Sequence, residues 1–259
     1  MIETTDKVLP VNRDIIMRFL THELNLKIPD YCPNGLQIEG IAQIRHVVSG
    51  VTASQALIEK AIELGADMLL VHHGYFWRGE NAAITGMKYR RIKLLLEHNI
   101  NLVAYHLPLD MHSEIGNNAQ LGKVLGLIPE NHFGEHDLGW IGTLKDQSIV
   151  TVGQLAEHVE QILGRKPLLI GDATQIVSRV GWCTGAAQDL LVDAAIAGAT
   201  VYLSGEISEQ TVHEARECGV AYLACGHHAT ERYGIQALGC LLANKYHLKH
   251  TFVDINNPV

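Results

Sequence analysis

The sequence predicts an α/β protein of two related lobes, each a mainly parallel sheet flanked by helices. Apolar runs at 68–71, 102–105 and 220–224 read as strands buried on both faces, and they alternate with segments of helical periodicity. The pattern of the first half also returns in the second. Setting Gly65 over Gly198, an offset of 133 (198 − 65), aligns Val47 with Val180, Gln55 with Gln188, Leu57 with Leu190, Ala61 with Ala194, Ala66 with Ala199 and Leu70 with Leu203 without a gap. Such self-similarity signals paired units, the alternative being chance identities between two unrelated α/β units. A chain of 259 residues has room for two domains.

In chain order, 12–24 carries Ile15, Ile16, Phe19, Leu20 and Leu24 at helical spacing, with Asn12 available as N-cap. Pro29, Pro33, Asn34-Gly35 and Gly40 mark loops around a short extended piece at 36–38. A strand at 46–51, a helix at 54–64 closed by Gly65, and the strand at 68–71 follow; the last runs into His72-His73-Gly74. A helix at about 88–98 leads to the strand at 102–105, which ends at His106. Beyond Asp110, 118–125 reads as a helix, and 129–142, rich in Gly, Asp and His with little periodicity, as a linker. A helix at 151–163 with Thr151 as cap and a short strand at 167–171 precede the repeated pattern. These elements place a first lobe at 1–126 plus 236–259 and a second at 127–235.

A formal net charge of -8 gives no global attraction to nucleic acid or to an anionic membrane, and neither is expected as a main partner. No apolar run approaches the roughly 20 residues of a membrane-spanning helix. The N-terminus carries Glu3 and Asp6 where a secretory signal carries a basic and then an apolar region, so a cytoplasmic location is expected. Five cysteines without C-x-x-C spacing suit a reducing compartment and exclude a cysteine-based zinc ribbon.

Histidine carries the chemical signal. Six of the 15 fall in three short stretches that each follow an apolar strand: His72-His73, His106 to His112, and His227-His228. His106 with Asp110 and His227 with Glu231 share the pattern His-x-x-x-acid, at an offset of 121 (227 − 106), one helical turn apart. Ligands of open α/β sheets collect at the carboxyl ends of strands. Imidazole with carboxylate suits zinc, iron, manganese or nickel. Adjacent residues of a regular strand point to opposite faces, so His72 and His73 reach one ion only through a bend, whereas at a strand end they can serve two neighbouring ions. A single His-His pair is more often one packed and one solvated residue; three clusters together favour a shared metal site. His228 is read as packing or supporting a ligand, and His112 as a solvated loop residue.

Val71-His72-His73-Gly74-Tyr75-Phe76-Trp77, Ala104-Tyr105-His106-Leu107-Pro108-Leu109-Asp110, Ser204-Gly205-Glu206 and Gly226-His227-His228-Ala229-Thr230-Glu231 together resemble the NIF-three-like family of dinuclear-metal proteins. Many of its members are described as GTP cyclohydrolase I type 2 homologues. The resemblance runs from Asn34-Gly35-Leu36-Gln37 to Glu231. It implies two α/β lobes with a metal pair between them, a ring-shaped homohexamer, and His72, His73, Asp110, His227 and Glu231 as ligands of two divalent transition-metal ions. The Asp30-Tyr31-Cys32-Pro33 stretch varies where other members often carry acids, which leaves that loop's role open.

Two such ions would activate a bridging water for hydrolysis of a small substrate that could be nucleotide-like or phosphorylated. His106 or Glu206 could then move protons; His106 could instead be a ligand, and Glu206 simply a helix N-terminal acid. Lys88, Arg90, Arg91 and Lys93 form a basic run that is either a solvated helix face or a phosphate contact. Cys225 reads as a small buried residue, with oxidation sensing as the minor alternative. A non-catalytic metal-binding adaptor is the alternative to a hydrolase.

Overall fold

The computed structural model describes residues 8–24 and 28–259, so the acidic stretch 1–7 lies outside it. It divides into two units: residues up to Leu109 with Ile235–Ile255, and Asp110–Gly234 with Asn256–Val259. The first crossing falls before Asp110 rather than at 126, which assigns Asp110 to the second unit. The cause is the Asn117–Leu125 helix, whose Ala119, Leu121 and Leu125 pack in one apolar cluster with Trp140 and Trp182.

In the first unit the five-stranded sheet runs Lys249–Phe252, His46–Thr52, Met68–His73, Asn101–Ala104, Gly35–Ile38. Its first three pairings are parallel, and Gly35–Ile38 joins antiparallel at the edge. Met68, Leu69, Leu70 and Val71 are all fully buried, which is why that strand shows no polar alternation. The helices start where local chemistry says they should. Asn12 accepts a hydrogen bond from the Asp14 amide (2.8 Å) ahead of Arg13–Glu23, and Ser54 from Leu57 (3.3 Å) ahead of Gln55–Glu63. Glycine is required just past His73, because a Cβ on Gly74 would lie 2.2 Å from Gln37 Oε1 and 2.7 Å from Ala104 Cβ. That close approach, with the Tyr75 amide donating to Gln37 Oε1 (2.7 Å), fixes the path of the chain out of the strand.

Two histidines, the buried His46 and the half-buried His250, tie the Lys249–Phe252 strand to its neighbour. His46 uses Nδ1 toward Leu64 O (3.1 Å) and Nε2 toward Thr251 Oγ1 (3.0 Å), and His250 Nε2 lies 2.8 Å from Ser49 Oγ. Burial, reinforced at His46 by Lys249 and opposed by hydrogen bonds to the Leu64 and Gly65 backbone and by Asp67, lowers the pKa of His46, and burial with His46 nearby lowers that of His250. The unfolded chain therefore binds more protons below about pH 6.5, so the stability contributed by the neutral rings is complete above that value and is lost as the pH falls through the lower folded values. The urea midpoint is expected to fall between about pH 7.5 and pH 5.5, and to fall less in His250→Gln. An equal acid sensitivity in the variant would show that His250 does not contribute to the loss.

The second unit has a six-stranded sheet in the order Leu127–Phe133, Gly139–Leu144, Val180–Trp182, Val201–Ser204, Ala221–Ala224, Leu168–Ile170. Only two of its five pairings, those flanking Val201–Ser204, are parallel, so the expectation of a mainly parallel sheet holds in the first unit and not here. Much of the difference comes from 127–144, which is a hairpin and not a linker. Its first strand lies at the sheet edge, with five consecutive exposed residues and a register shift between Pro129 and Asn131, and so lacks the alternation that marks a half-buried strand. Thr151 and Gln154 form a capping box at the start of Val152–Leu163.

Candidate metal centre

Each unit gathers donors at the carboxyl ends of its parallel strands. In the first, the Met68–His73 strand ends on His72, which is fully buried, and His73, which is half-buried. Although adjacent on a strand, their rings lie only 4.5 Å apart between centroids, and the His106 ring lies 5.1 Å from His72 and 5.8 Å from His73. The three residues can offer ring nitrogens that all lie within 4.8 Å of one another. His72 Nδ1 is 2.8 Å from Tyr105 O. A carbonyl only accepts, so Nδ1 carries the proton and Nε2 the lone pair of the neutral ring. His73 Nδ1 lies 3.1 Å from Thr52 Oγ1 on the adjacent strand.

In the second unit the Ala221–Ala224 strand leads through Gly226 into the helix His227–Tyr246. Helical spacing brings His227 Nε2 to 3.1 Å from Glu231 Oε2, and Glu206, after the neighbouring Val201–Ser204 strand, places Oε1 2.6 Å from His227 Nδ1. Burial alone would lower the pKa of His227; Glu231 and then Glu206 outweigh it and raise it to about 9. The site's field thus favours a positive charge. Asp110 is buried and accepts from Asn117 Nδ2 (2.8 Å), while Asn117 Oδ1 accepts from the Gly234 amide (3.0 Å). The loop carrying Gly185 approaches Glu231 so closely that a Cβ at Gly185 would lie 2.3 Å from Glu231 Oε1 and 3.2 Å from His227 Nε2.

This donor set fits a divalent transition metal: imidazoles with defined tautomers, buried carboxylates and no thiolate. Cys225 is buried and donates to Leu223 O (3.4 Å), and burial, only partly offset by Arg165, pushes its thiol up to about 12. It is a packing residue. His228 is also buried and its amide donates to Val259 O (3.0 Å). His112 is half-buried rather than solvated, its Nδ1 accepting from the Glu114 and Ile115 amides (3.2 and 3.3 Å). Of the basic run, Lys88 pairs with Glu80 (3.1 Å) and covers the Phe76 ring, Lys93 pairs with Glu97 (3.5 Å), and Arg90 is exposed. Sequence reasoning left one participant without a role: Asp30, whose Oδ1 lies 2.7 Å from His106 Nδ1.

Fold and donor set lead to one family. The chain belongs to the Duf34/NIF3 (NGG1p interacting factor 3) family, whose model matches residues 12–258. It is similar to a Pseudomonas aeruginosa protein described as a GTP cyclohydrolase 1 type 2 homolog, with 53% identity over 90% of this chain and 92% of that one. A protein of the same description from Escherichia coli K12 is 49% identical over 89% and 92% of the two chains. Among solved structures, protein ybgI, titled as of unknown function, superposes with a TM-score of 0.90 at 46% identity, covering 96% of this chain and all of the other. TTHA1606 from Thermus thermophilus gives 0.86 at 32% identity, again over 96% of this chain and all of the other. No helix among the described residues is long and apolar enough to cross a membrane.

Proposed function

We propose that the protein is a dinuclear-metal-dependent hydrolase in which His72, His73, Asp110, His227 and Glu231 hold two divalent transition-metal ions. The observation that carries this is the clamped imidazole of His227, with a carboxylate on each ring nitrogen and an electrostatic setting that favours a cation. Ions held by these residues would supply an activated water and electrostatic stabilisation of the oxygens that exchange in a hydrolysis. His106, whose ring stands beside those of His72 and His73, is the proton carrier. Glu206 acts through His227, fixing its ring and offering a second proton acceptor at the site's edge.

The two units also support descent from one duplicated α/β element. Three successive parallel strands, His46–Thr52, Met68–His73 and Asn101–Ala104, with Gly35–Ile38 antiparallel at the edge, match Val180–Trp182, Val201–Ser204 and Ala221–Ala224 with Leu168–Ile170 antiparallel at the edge. His106 and His227 then follow equivalent strands. Assembly into a ring of six chains belongs to the same reading. The substrate is a small molecule, and the descriptions of the relatives as GTP cyclohydrolase 1 type 2 homologs make a nucleotide the first to try.

The test is turnover by metal-reconstituted protein across nucleotide, phosphoester and cyclic-amide substrates, with Glu231→Gln and His106→Ala as controls. Metal-dependent turnover lost in both variants supports the hydrolase. No metal-dependent turnover on any substrate would favour a metal-binding adaptor instead.

A further inference from the structure

Asp30 lies on the loop ahead of the Gly35–Ile38 strand, 76 residues from His106 in sequence, and its side chain is 4% exposed. Four donors surround its carboxylate. Oδ1 accepts from the Tyr31 amide and from His106 Nδ1 (2.7 Å); Oδ2 accepts from Asn34 Nδ2 (2.8 Å) and the Leu107 amide (3.0 Å). Asn34 Oδ1 in turn accepts from the His106 amide (2.8 Å), so loop and imidazole are held as one body. The Trp77 ring meets His106 edge to face at 4.9 Å and limits its rotation.

An ionised carboxylate only accepts, so the neutral His106 ring carries its proton on Nδ1, and Nε2 is the nitrogen left to the His72–His73 cluster. Burial would raise the pKa of Asp30, but the hydrogen bonds from His106, Asn34 and the Tyr31 amide outweigh it and hold it below the ordinary carboxylate value, which keeps the carboxylate ionised.

We propose that Asp30 is the positioning residue for His106, locking the ring in its Nδ1–H tautomer so that Nε2 accepts a proton at the cluster. This rests on the proton-carrier role given to His106 above and deepens it. A residue that merely anchors the loop would not control where the ring proton sits, and the surrounding donors make that difference testable. In Asp30→Asn the amide nitrogen at the Oδ2 position would face two obligate donors, Asn34 Nδ2 and the Leu107 amide. At the Oδ1 position it would face one obligate donor, the Tyr31 amide, and one switchable group, His106 Nδ1. The nitrogen therefore settles against His106, which must present an acceptor there and moves its proton to Nε2.

The experiment is solid-state nitrogen NMR on the full chain labelled at histidine with nitrogen-15, with and without zinc, the His106 signals being assigned by their loss in His106→Gln. Wild type is expected to carry the proton on Nδ1 and Asp30→Asn on Nε2. A wild-type ring protonated on Nε2, or the same tautomer in both proteins, would overturn the proposal, and the wild-type measurement needs no variant to fold. Because the tautomer is read without turnover, an inactive protein with the expected tautomers would sink the hydrolase reading alone. An active protein with the wrong tautomer would sink this one alone.

Discussion

Glu231→Gln is expected to retain at most one of the two divalent ions and to lose metal-dependent turnover while keeping its fold. Glu231 is 3% exposed on the first turns of the His227–Tyr246 helix, with Oε2 3.1 Å from His227 Nε2. The amide is nearly isosteric, so packing changes little. It removes the negative charge that most raises the His227 pKa, and it leaves a nitrogen where a metal needs an anionic oxygen. Loss of an outer-shell partner of a metal ligand typically costs about 10–100-fold in affinity, and loss of a ligand should cost at least that. Elemental analysis after dialysis reads the ion count, and Asp110→Ala should lower it as well. An unchanged count would remove the substituted residue from the site.

The second large effect concerns a residue with no side chain to offer a metal. Gly185 follows the Val180–Trp182 strand on a loop pinned from several sides: the Thr184 amide donates to Asn118 Oδ1 (2.8 Å), the Gly185 amide to Thr230 Oγ1 (3.1 Å), and Gly185 O accepts from the Gly205 amide (2.8 Å). Its φ of +68° is one that side chains adopt at a cost of about 1–2 kcal/mol. The loop cannot retreat, so the methyl of Gly185→Ala, 2.3 Å from Glu231 Oε1, must displace that carboxylate. At about 2–4 °C for each kcal/mol in a chain of this size, strain and overpacking should lower the Tm by several degrees. The diagnostic outcome is loss of metal in a protein that is still folded at room temperature. Full metal retention would show that Glu231 can yield without leaving the site, or is not part of it.

Local physics was legible in the sequence wherever one segment decided it. Asn12, Ser54 and Thr151 cap the expected helices, and the buried strands were readable because both their faces are apolar. The hairpin at 127–144 was not readable, since an exposed edge strand broken by a register shift looks like a loop. The same divide runs through the site. His227 and Glu231 announce themselves by one-turn spacing, and His72-His73 by their place after an apolar run. The carboxylates beside the rings lie elsewhere in the chain: Glu206, already a candidate in the sequence, reaches His227 because neighbouring strands end side by side, and Asp30, which the sequence left without a role, reaches His106 across 76 residues. Residue type and spacing point to ligands, whereas the partners that orient them are created by topology.

His72, His73, Asp110, His227 and Glu231 are proposed to serve one dinuclear centre. Crystals of zinc- or manganese-loaded protein, measured on both sides of the metal's absorption edge, test it most directly. Two anomalous peaks are expected, with these five side chains within coordination distance of about 2.0–2.2 Å. Peaks bound by other residues, or a single ion that lacks some of these five, would overturn the proposal.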